Sequence, residues 1–324
     1  MVPMISLSFG KSSFLRVSSF DKKLILSMLI LFVFAASFSL AAQEKEIAVL
    51  TPYLQSVTTN EMIRSFEAKA ENEGWNVRVI DTKGDFNQLA NRYDDVISQG
   101  VDAIVMGMGD PNQLKQQIAS ANEAGIPVFG GDAGYIEGME MNVTSNNYVL
   151  AAQNASYLFN KIGSGKIVKF YHSAHPGVHK REIVFDAIVE SREDIEVVAE
   201  HYVQVPGPIE DAMQAMQSIL LSNPEIDGVW AAWDEPAIGA SMAIKQAGRQ
   251  EEITVVGIDG NSQALEMINE GSSLKATVKQ DFSAMGDILV EKIKMVFAGE
   301  ELTDRIYYAP SAIITEDNVD QFME

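Results

Sequence analysis

The chain has 324 residues, a formal charge of −21 at pH 7 and no cysteine. That length suits two domains better than one, because single cores stop growing at about 250–300 residues. The acidity repels phosphate backbones and excludes nucleic acid as a partner. The absence of thiols excludes disulfides, thiolate catalysis and a lipid-modified cysteine anchor.

The first forty residues differ in character from the rest. Lys11, Arg16, Lys22 and Lys23 give a basic start, residues 24–38 are almost wholly apolar, and the small residues Ser39 and Ala41 sit two apart. This is the three-part pattern of a secretory signal. The apolar run is short against the ~20 residues of a spanning helix, although an uncleaved anchor is the alternative. We expect residues 1–41 to be a signal peptide and the mature chain to start near Ala42. Loss of those four basic residues and Asp21 takes the formal charge to −24. With no lipid anchor, retention of an exported protein needs a second membrane, so the expected compartment is the periplasm.

From residue 46 onward, strand and helix patterns alternate. Residues 47–51 read as a buried strand, and 60–73 as an amphipathic helix with Met62, Phe66 and Ala70 on one face, closed by Gly74. Strands follow at 75–81, 102–106 and 126–130, with helices at 86–99 and 112–124 between them. The second half repeats the unit: strands at 166–171, 196–203, 228–232 and 253–258, and helices near 180–192, 209–222 and 236–247. Short apolar strands separated by helices predict parallel sheets covered on both faces.

The two halves also align in detail. Residues 101–132 and 226–259 each open near an aspartate (Asp102, Asp227), run an apolar strand and reach an acidic turn. Pro111 and Pro236 each fall nine residues after that aspartate, at a helix start where the missing N–H costs least. Each helix ends in Ala-Gly, and each following strand ends in a glycine-containing turn and an aspartate, Asp132 and Asp259. The fold class predicted is therefore α/β with two similar doubly wound parallel-sheet lobes. Ligands bind outside the carboxyl ends of such strands, so facing lobes would enclose a cleft. Residues 51–59, 107–110 and 130–134 would line it from one lobe, and 172–179, 233–235 and 259–261 from the other.

The segments "ANEAGIPVFGGD", "GVWAAWDEPAIGASMAIKQAG", "VVGIDG" and "LKATVKQ", in this order and spacing, resemble the ribose-binding-protein family of periplasmic solute-binding proteins. That family shares its fold with the sensor domain of the lac-repressor family. The resemblance covers nearly all of the chain after the leader. It implies a three-crossing hinge near Ser145, Gln280 and 307–310. The first lobe would then comprise 43–145 plus 281–308, and the second 146–280 plus 309–324. It also implies closure over a sugar, with Asp132, Arg181 (opening the helix after "YHSAHPGVHK"), Asp259 and Gln280 at binding positions. Thr58 and Thr59 stand where the family has paired phenylalanines, Gly107 and Trp233 where it has asparagines, and Ala133 where it has an arginine. Losing that arginine while keeping both aspartates predicts a ligand other than ribose, an amino sugar or a larger polyol, unless the histidines offset the charge.

The candidate binding residues are Tyr53, Ser56, Thr58, Thr59, Asp132, His172, Arg181, Trp233, Asp259 and Gln280. A carboxylate accepts up to about four hydrogen bonds and so can hold adjacent hydroxyls, and a guanidinium offers five rigid donors. Trp233 and Tyr53 offer apolar faces to sugar C–H groups. The alternative for the aspartates is helix N-capping, for Arg181 a surface charge, and for Trp233 and Tyr53 core packing; Trp230, within its strand, reads as core. His172, His175 and His179 lie close together, yet Pro176–Gly177 breaks the segment and no acidic residue adjoins, which argues against a metal. No glycosidase motif accompanies the aspartates. "GMGDP" and "GGDAG" are neither a dinucleotide fingerprint nor a P-loop, so no cofactor is expected.

The expected function is capture of a sugar or polyol and delivery to an ABC permease by a monomeric receptor that breaks no bond. A chemoreceptor or quorum-signal receptor of the same fold, and a secreted sugar-processing enzyme, are the alternatives.

Overall fold

The computed structural model describes residues 44–323, and the predicted signal peptide lies outside them. In chain order the first elements are β1 (Lys45–Thr51), α1 (Val57–Asn72), β2 (Trp75–Asp81), α2 (Phe86–Gln99) and β3 (Ala103–Gly107). A 3-10 turn at Pro111–Leu114 then runs into α3 (Lys115–Glu123), followed by β4 (Val128–Gly131) and β5 (Met141–Thr144). The chain continues through α4 (Asn147–Ile162), β6 (Gly165–Tyr171), α5 (Pro176–Glu190), β7 (Ile195–Tyr202) and α6 (Pro208–Ser222). Then come β8 (Gly228–Ala231), α7 (Asp234–Gln246), β9 (Thr254–Asp259), α8 (Ser262–Asn269) and β10 (Leu274–Gln280). It closes with α9 (Phe282–Phe297), β11 (Ile306–Tyr308) and β12 (Ser311–Thr315).

The strands form two six-stranded sheets, ordered β2-β1-β3-β4-β5-β11 and β7-β6-β8-β9-β10-β12. Five strands follow one order in both, which makes the halves structural repeats. The sixth strand differs: β11 runs parallel to β5, whereas β12 runs antiparallel to β10. The chain moves from one sheet to the other three times, between Thr144 and Asn147, between Gln280 and Phe282, and between Tyr308 and Ser311.

Alternation along β1 shows why the first sheet is covered twice. Ile47 and Val49 join a core with Phe66, Met285 and Leu289, while Ala48 and Leu50 join one with Leu89, Tyr93 and Ile118. Successive strand residues point to opposite faces, so an apolar run of this kind is buried only between two helix layers. In the second lobe Trp230 stacks on Phe185 at 4.1 Å between ring centroids and is fully buried, as its place within the strand predicts.

Several elements depart from the sequence expectations. Helix α1 begins at Val57 rather than residue 60, because Ser56 supplies an extended N-cap conformation three residues earlier. Helix α5 begins at Pro176 rather than 180: His175 caps it, its Nδ1 accepting from the Gly177 and Val178 amides at 3.2 and 3.3 Å. Arg181 therefore sits in the second turn of α5, not at its opening. Strands β5, β10, β11 and β12 and helices α4, α8 and α9 carried no element assignment from the sequence.

Helices α6 and α7 pack through Gly239, where an added Cβ would lie 2.2 Å from the Ile209 carbonyl oxygen. Backbone cannot yield as a side-chain tip does, so overpacking here carries the usual cost. We predict that Gly239→Ala lowers unfolding free energy by about 1–3 kcal/mol in urea melts. An unchanged midpoint would show that the helices have room to separate.

Candidate binding site

The carboxyl ends of both sheets face one cleft of about 420 Å³, within the range of small-ligand sites. Both sheets have strand order 2-1-3-4-5, whose chain direction reverses between the first and third strands, and crevices form there. The loops after β1 and β3 supply Tyr53, Ser56 and Met108, and those after β6 and β8 supply His172, His175, Trp233 and Glu235. All ten candidate residues line this cleft.

Asp132 follows β4 and Asp259 ends β9, the same strand of each repeat. Neither caps a helix. The cap ahead of α8 is Asn261, whose side chain accepts from the Ala264 amide, and the Asp132 carboxylate instead accepts from Thr144 Oγ1 at 2.6 Å. Both have positive φ, 47° for Asp132 and 143° for Asp259. Aspartate tolerates the first value; the second is strained backbone of the kind that collects at functional sites. Both carboxylates lie on the cleft floor, only 3% and 5% exposed, rather than at its mouth.

A continuous hydrogen-bonded chain links them. Asn147 Nδ2 donates to Thr144 Oγ1 (3.2 Å), Arg181 Nε donates to Asn147 Oδ1 (2.6 Å), and Arg181 Nη1 donates to the Ala232 carbonyl (2.8 Å). Arg181 Nη1 also lies 3.5 Å from Asp259 Oδ1, which accepts from Gln280 Nε2 at 2.8 Å. Among the described residues, no protein donor reaches Oδ2 of either aspartate. Arg181 is 2% exposed and thus a floor residue, not a surface charge.

Behind the floor, fully buried Asp234 holds the turn that presents Asp259. Its carboxylate accepts from Thr277 Oγ1 (2.7 Å) and from the amides of Gly260 (2.8 Å) and Asn261 (3.0 Å). Burial nevertheless pushes its pKa up to about 6. Burial also raises Asp259 well above the ordinary carboxylate value, and the nearby Asp234 and Glu235 charges add to the rise against the opposing Arg181.

The walls are aromatic. Trp233 is both packed in the core and exposed along one edge to the cleft, with His172 edge-on at 6.1 Å. Tyr53 packs edge-on against Phe86 and His172 and tilted against His175, and burial pushes its hydroxyl up to about 12. Contacts across the cleft join the lobes: Ser56 Oγ donates to Glu235 Oε2 (3.1 Å), His175 Nε2 donates to the Asp132 carbonyl (3.0 Å), and Tyr53 meets both His172 and His175. Thr58 bonds Ser56 at 3.3 Å, and Thr59 turns inward to Met108.

The three histidines do not converge as metal ligands. His172 Nδ1 donates to the Val203 carbonyl, His175 uses both ring nitrogens on backbone groups, and His179 pairs with Glu182 at 3.1 Å. Sequence reasoning placed His175 and Glu235 in lining loops without assigning them a partner across the cleft. It also passed over Lys83 and the Val205–Glu210 stretch. Both follow the second strand of their lobe, and the rule applied to the other strands would have found them.

His175 is held neutral. Its Nδ1 must stay an acceptor to cap α5 while Nε2–H serves Asp132, and burial lowers its pKa to about 4. A base depressed in the folded state contributes stability above the ordinary value of 6.5, lost as pH falls through about 4. We predict that nitrogen-edited NMR shows the Nε2–H tautomer down to pH 5. Titration of His175 at pH 6 or above would contradict the cap.

Over residues 47–301 the chain matches the family described as periplasmic binding protein domain. It is 28% identical over 247 residues to the ribose import binding protein of Bacillus subtilis, covering 75% of this chain and 78% of the relative. It is 30% identical over 245 residues to the xylitol-binding protein of Mycolicibacterium smegmatis, covering 74% and 68%. An ABC sugar transporter subunit of Rhodobacter sphaeroides superposes with a TM-score of 0.80 at 26% identity, over 85% of this chain and 99% of that one. An Agrobacterium vitis solute-binding protein with bound allitol shares the fold at a TM-score of 0.81 and 24% identity, over 87% and 99%. With the paired lobes and the floor of matched aspartates, this match identifies the chain as a member of the periplasmic binding protein domain family.

Proposed function

We propose that this protein captures a sugar or polyol between its lobes in the periplasm and delivers it to an ABC permease, acting as a monomer and breaking no bond. The observation that carries the reading is the pair of aspartates. They occupy the same strand position in both lobes, face one cleft, are joined by one hydrogen-bonded chain, and each keep an oxygen free of protein donors among the described residues. Such a pair matches a ligand with hydroxyls on two sides and engages fully only when the lobes meet. The names of the relatives support the class: ribose, xylitol and D-apiose binding proteins are among them. In this reading Trp233 and Tyr53 cover the ligand's apolar faces, while Arg181, Gln280, His172, Ser56, Thr58 and Thr59 complete the shell.

Closure brings surfaces of both lobes into one plane, and a permease recognises that arrangement over the open one. Residues 1–41 are the export signal in this reading. N-terminal sequencing of periplasmic protein is expected to start near Ala42, and an intact Met1 in the membrane fraction would overturn it.

Each charged acceptor contributes about 1.5–3 kcal/mol per bond to the ligand. Isothermal titration is therefore expected to show Asp132→Ala and Asp259→Ala weakening binding by about 10- to 150-fold. Because both carboxylates are buried and bonded, each change also lowers the denaturation midpoint. Lowered midpoints with unchanged affinity in both variants would place the site elsewhere. Turnover of a labelled ligand would convert the protein from receptor to enzyme.

A further inference from the structure

The polar groups of the cleft are unbalanced in charge and in hydrogen-bonding sense. Among the described residues three buried carboxylates line it, those of Asp132, Glu235 and Asp259, against one buried cation, Arg181. That cation is partly spent: Nε serves Asn147, and Nη1 serves the Ala232 carbonyl and only distantly Asp259, while no protein acceptor reaches Nη2 among the described residues. The histidines do not offset the charge. His175 caps α5 through an unprotonated Nδ1, and burial lowers the pKa of His172 against the opposing Val203 bond. At the rim, exposed Lys83 and exposed Glu210 oppose one another in sign.

Five of the unmet groups are acceptors. His172 donates from Nδ1, so its Nε2 carries a lone pair, and this atom is buried without a partner. Gln280 donates from Nε2 to Asp259, so its Oε1 is an acceptor, likewise buried and without a partner. Their residues are only 9% and 2% exposed. To these are added Oδ2 of Asp132, Oδ2 of Asp259 and Oε1 of Glu235, for which no protein donor is in reach among the described residues. A hydroxyl donates one hydrogen bond, while an ammonium donates three and accepts none.

We propose that the ligand is an amino-substituted sugar or polyol whose protonated amine is selected by Glu235 together with Asp259. The proposal rests on the sugar-or-polyol reading and narrows it. Glu235 is the selecting residue because its Oε2 is fixed by Trp233 Nε1 at 3.2 Å and by Ser56 across the cleft, while Oε1 stays free. Glu235 and Asp259 line the same cleft; burial raises both carboxyls, and the Glu235 charge adds repulsion to the rise of Asp259. A cation between the two reverses that repulsion. A neutral polyol leaves it in place.

The test is isothermal titration at pH 7.5 with three pairs: D-glucosamine against D-glucose, D-galactosamine against D-galactose, and 1-amino-1-deoxy-D-sorbitol against D-sorbitol. Ribose and xylitol serve as further neutral compounds. At least one amine is expected to bind tenfold or more tightly than its hydroxyl parent. Glu235→Gln keeps an acceptor for Trp233 and Ser56, so it is expected to retain the melting midpoint and erase that preference. Neutral compounds binding as tightly as, or more tightly than, every amine would overturn the proposal and leave the sugar-or-polyol reading intact. An amine preference that survives Glu235→Gln would overturn the role of Glu235. Absence of binding by every amine and neutral compound, with the protein folded, would overturn both.

Discussion

The structure depends on one buried hydrogen-bonded chain, Asp132–Thr144–Asn147–Arg181–Asp259–Gln280. It begins in the first sheet, passes the crossing at 144–147, traverses the second lobe and ends at the crossing after Gln280. An arginine only 2% exposed is tolerable only where its donors are met. Asn147, the Ala232 carbonyl and Asp259 meet those of Nε and Nη1. Buried networks of this kind are rigid when complete and costly when broken. The chain therefore fixes the positions of both carboxylates relative to the hinge before any ligand arrives, and preorganisation reduces the ordering cost of binding.

The same burial places the cleft under electrostatic load. Asp234, Asp259 and Glu235 are all raised by burial, so the folded protein holds their protons more tightly than the unfolded chain does. For Asp234 the window runs from the ordinary 3.8 to about 6, and within it the contribution to stability falls as pH rises. His175 acts in the opposite sense over much of this window. At neutral pH the carboxylates are thus desolvated beyond what their protein partners compensate. A donor-rich ligand supplies the missing compensation only when enclosed, which couples occupancy to closure.

Much of the fold was legible because its signals are local. Ala124–Gly125 and Ala247–Gly248 mark helix ends, Pro111 and Pro236 mark helix starts, and the apolar runs of β1, β3, β8 and β9 mark strands buried on both faces. Strands β5 and β11 have four and three residues, too short for a period to show. The capped pattern of α4, Asn146 to Gly163, was present but fell outside the aligned repeat. The start of α5 was hidden because histidine is an unusual cap.

The site was legible in part for a different reason. Asp132, Asp259, Arg181 and Gln280 stand in motifs whose spacing places them at strand ends and crossings. The pairing of Ser56 with Glu235 spans 179 residues, and that of His175 with Asp132 spans 43. No pattern along the chain announces such contacts, since they arise only when the two sheets face each other. Nor does position along the chain say how far the opposite lobe covers Asp132 and Asp259, which are 3% and 5% exposed.

The central claim is that ligand and both lobes meet in one enclosed site. The absence of cysteine allows spin labels at exposed Gln88 in the first lobe and Gln214 in the second with no competing thiol. Double electron–electron resonance is then recorded with and without the sugar or polyol that most raises the thermal midpoint. The account predicts a broad, longer distance distribution that collapses to one shorter distance with ligand, and no collapse when Asp259→Ala is added at the same ligand concentration. A distribution unmoved by saturating ligand would contradict it.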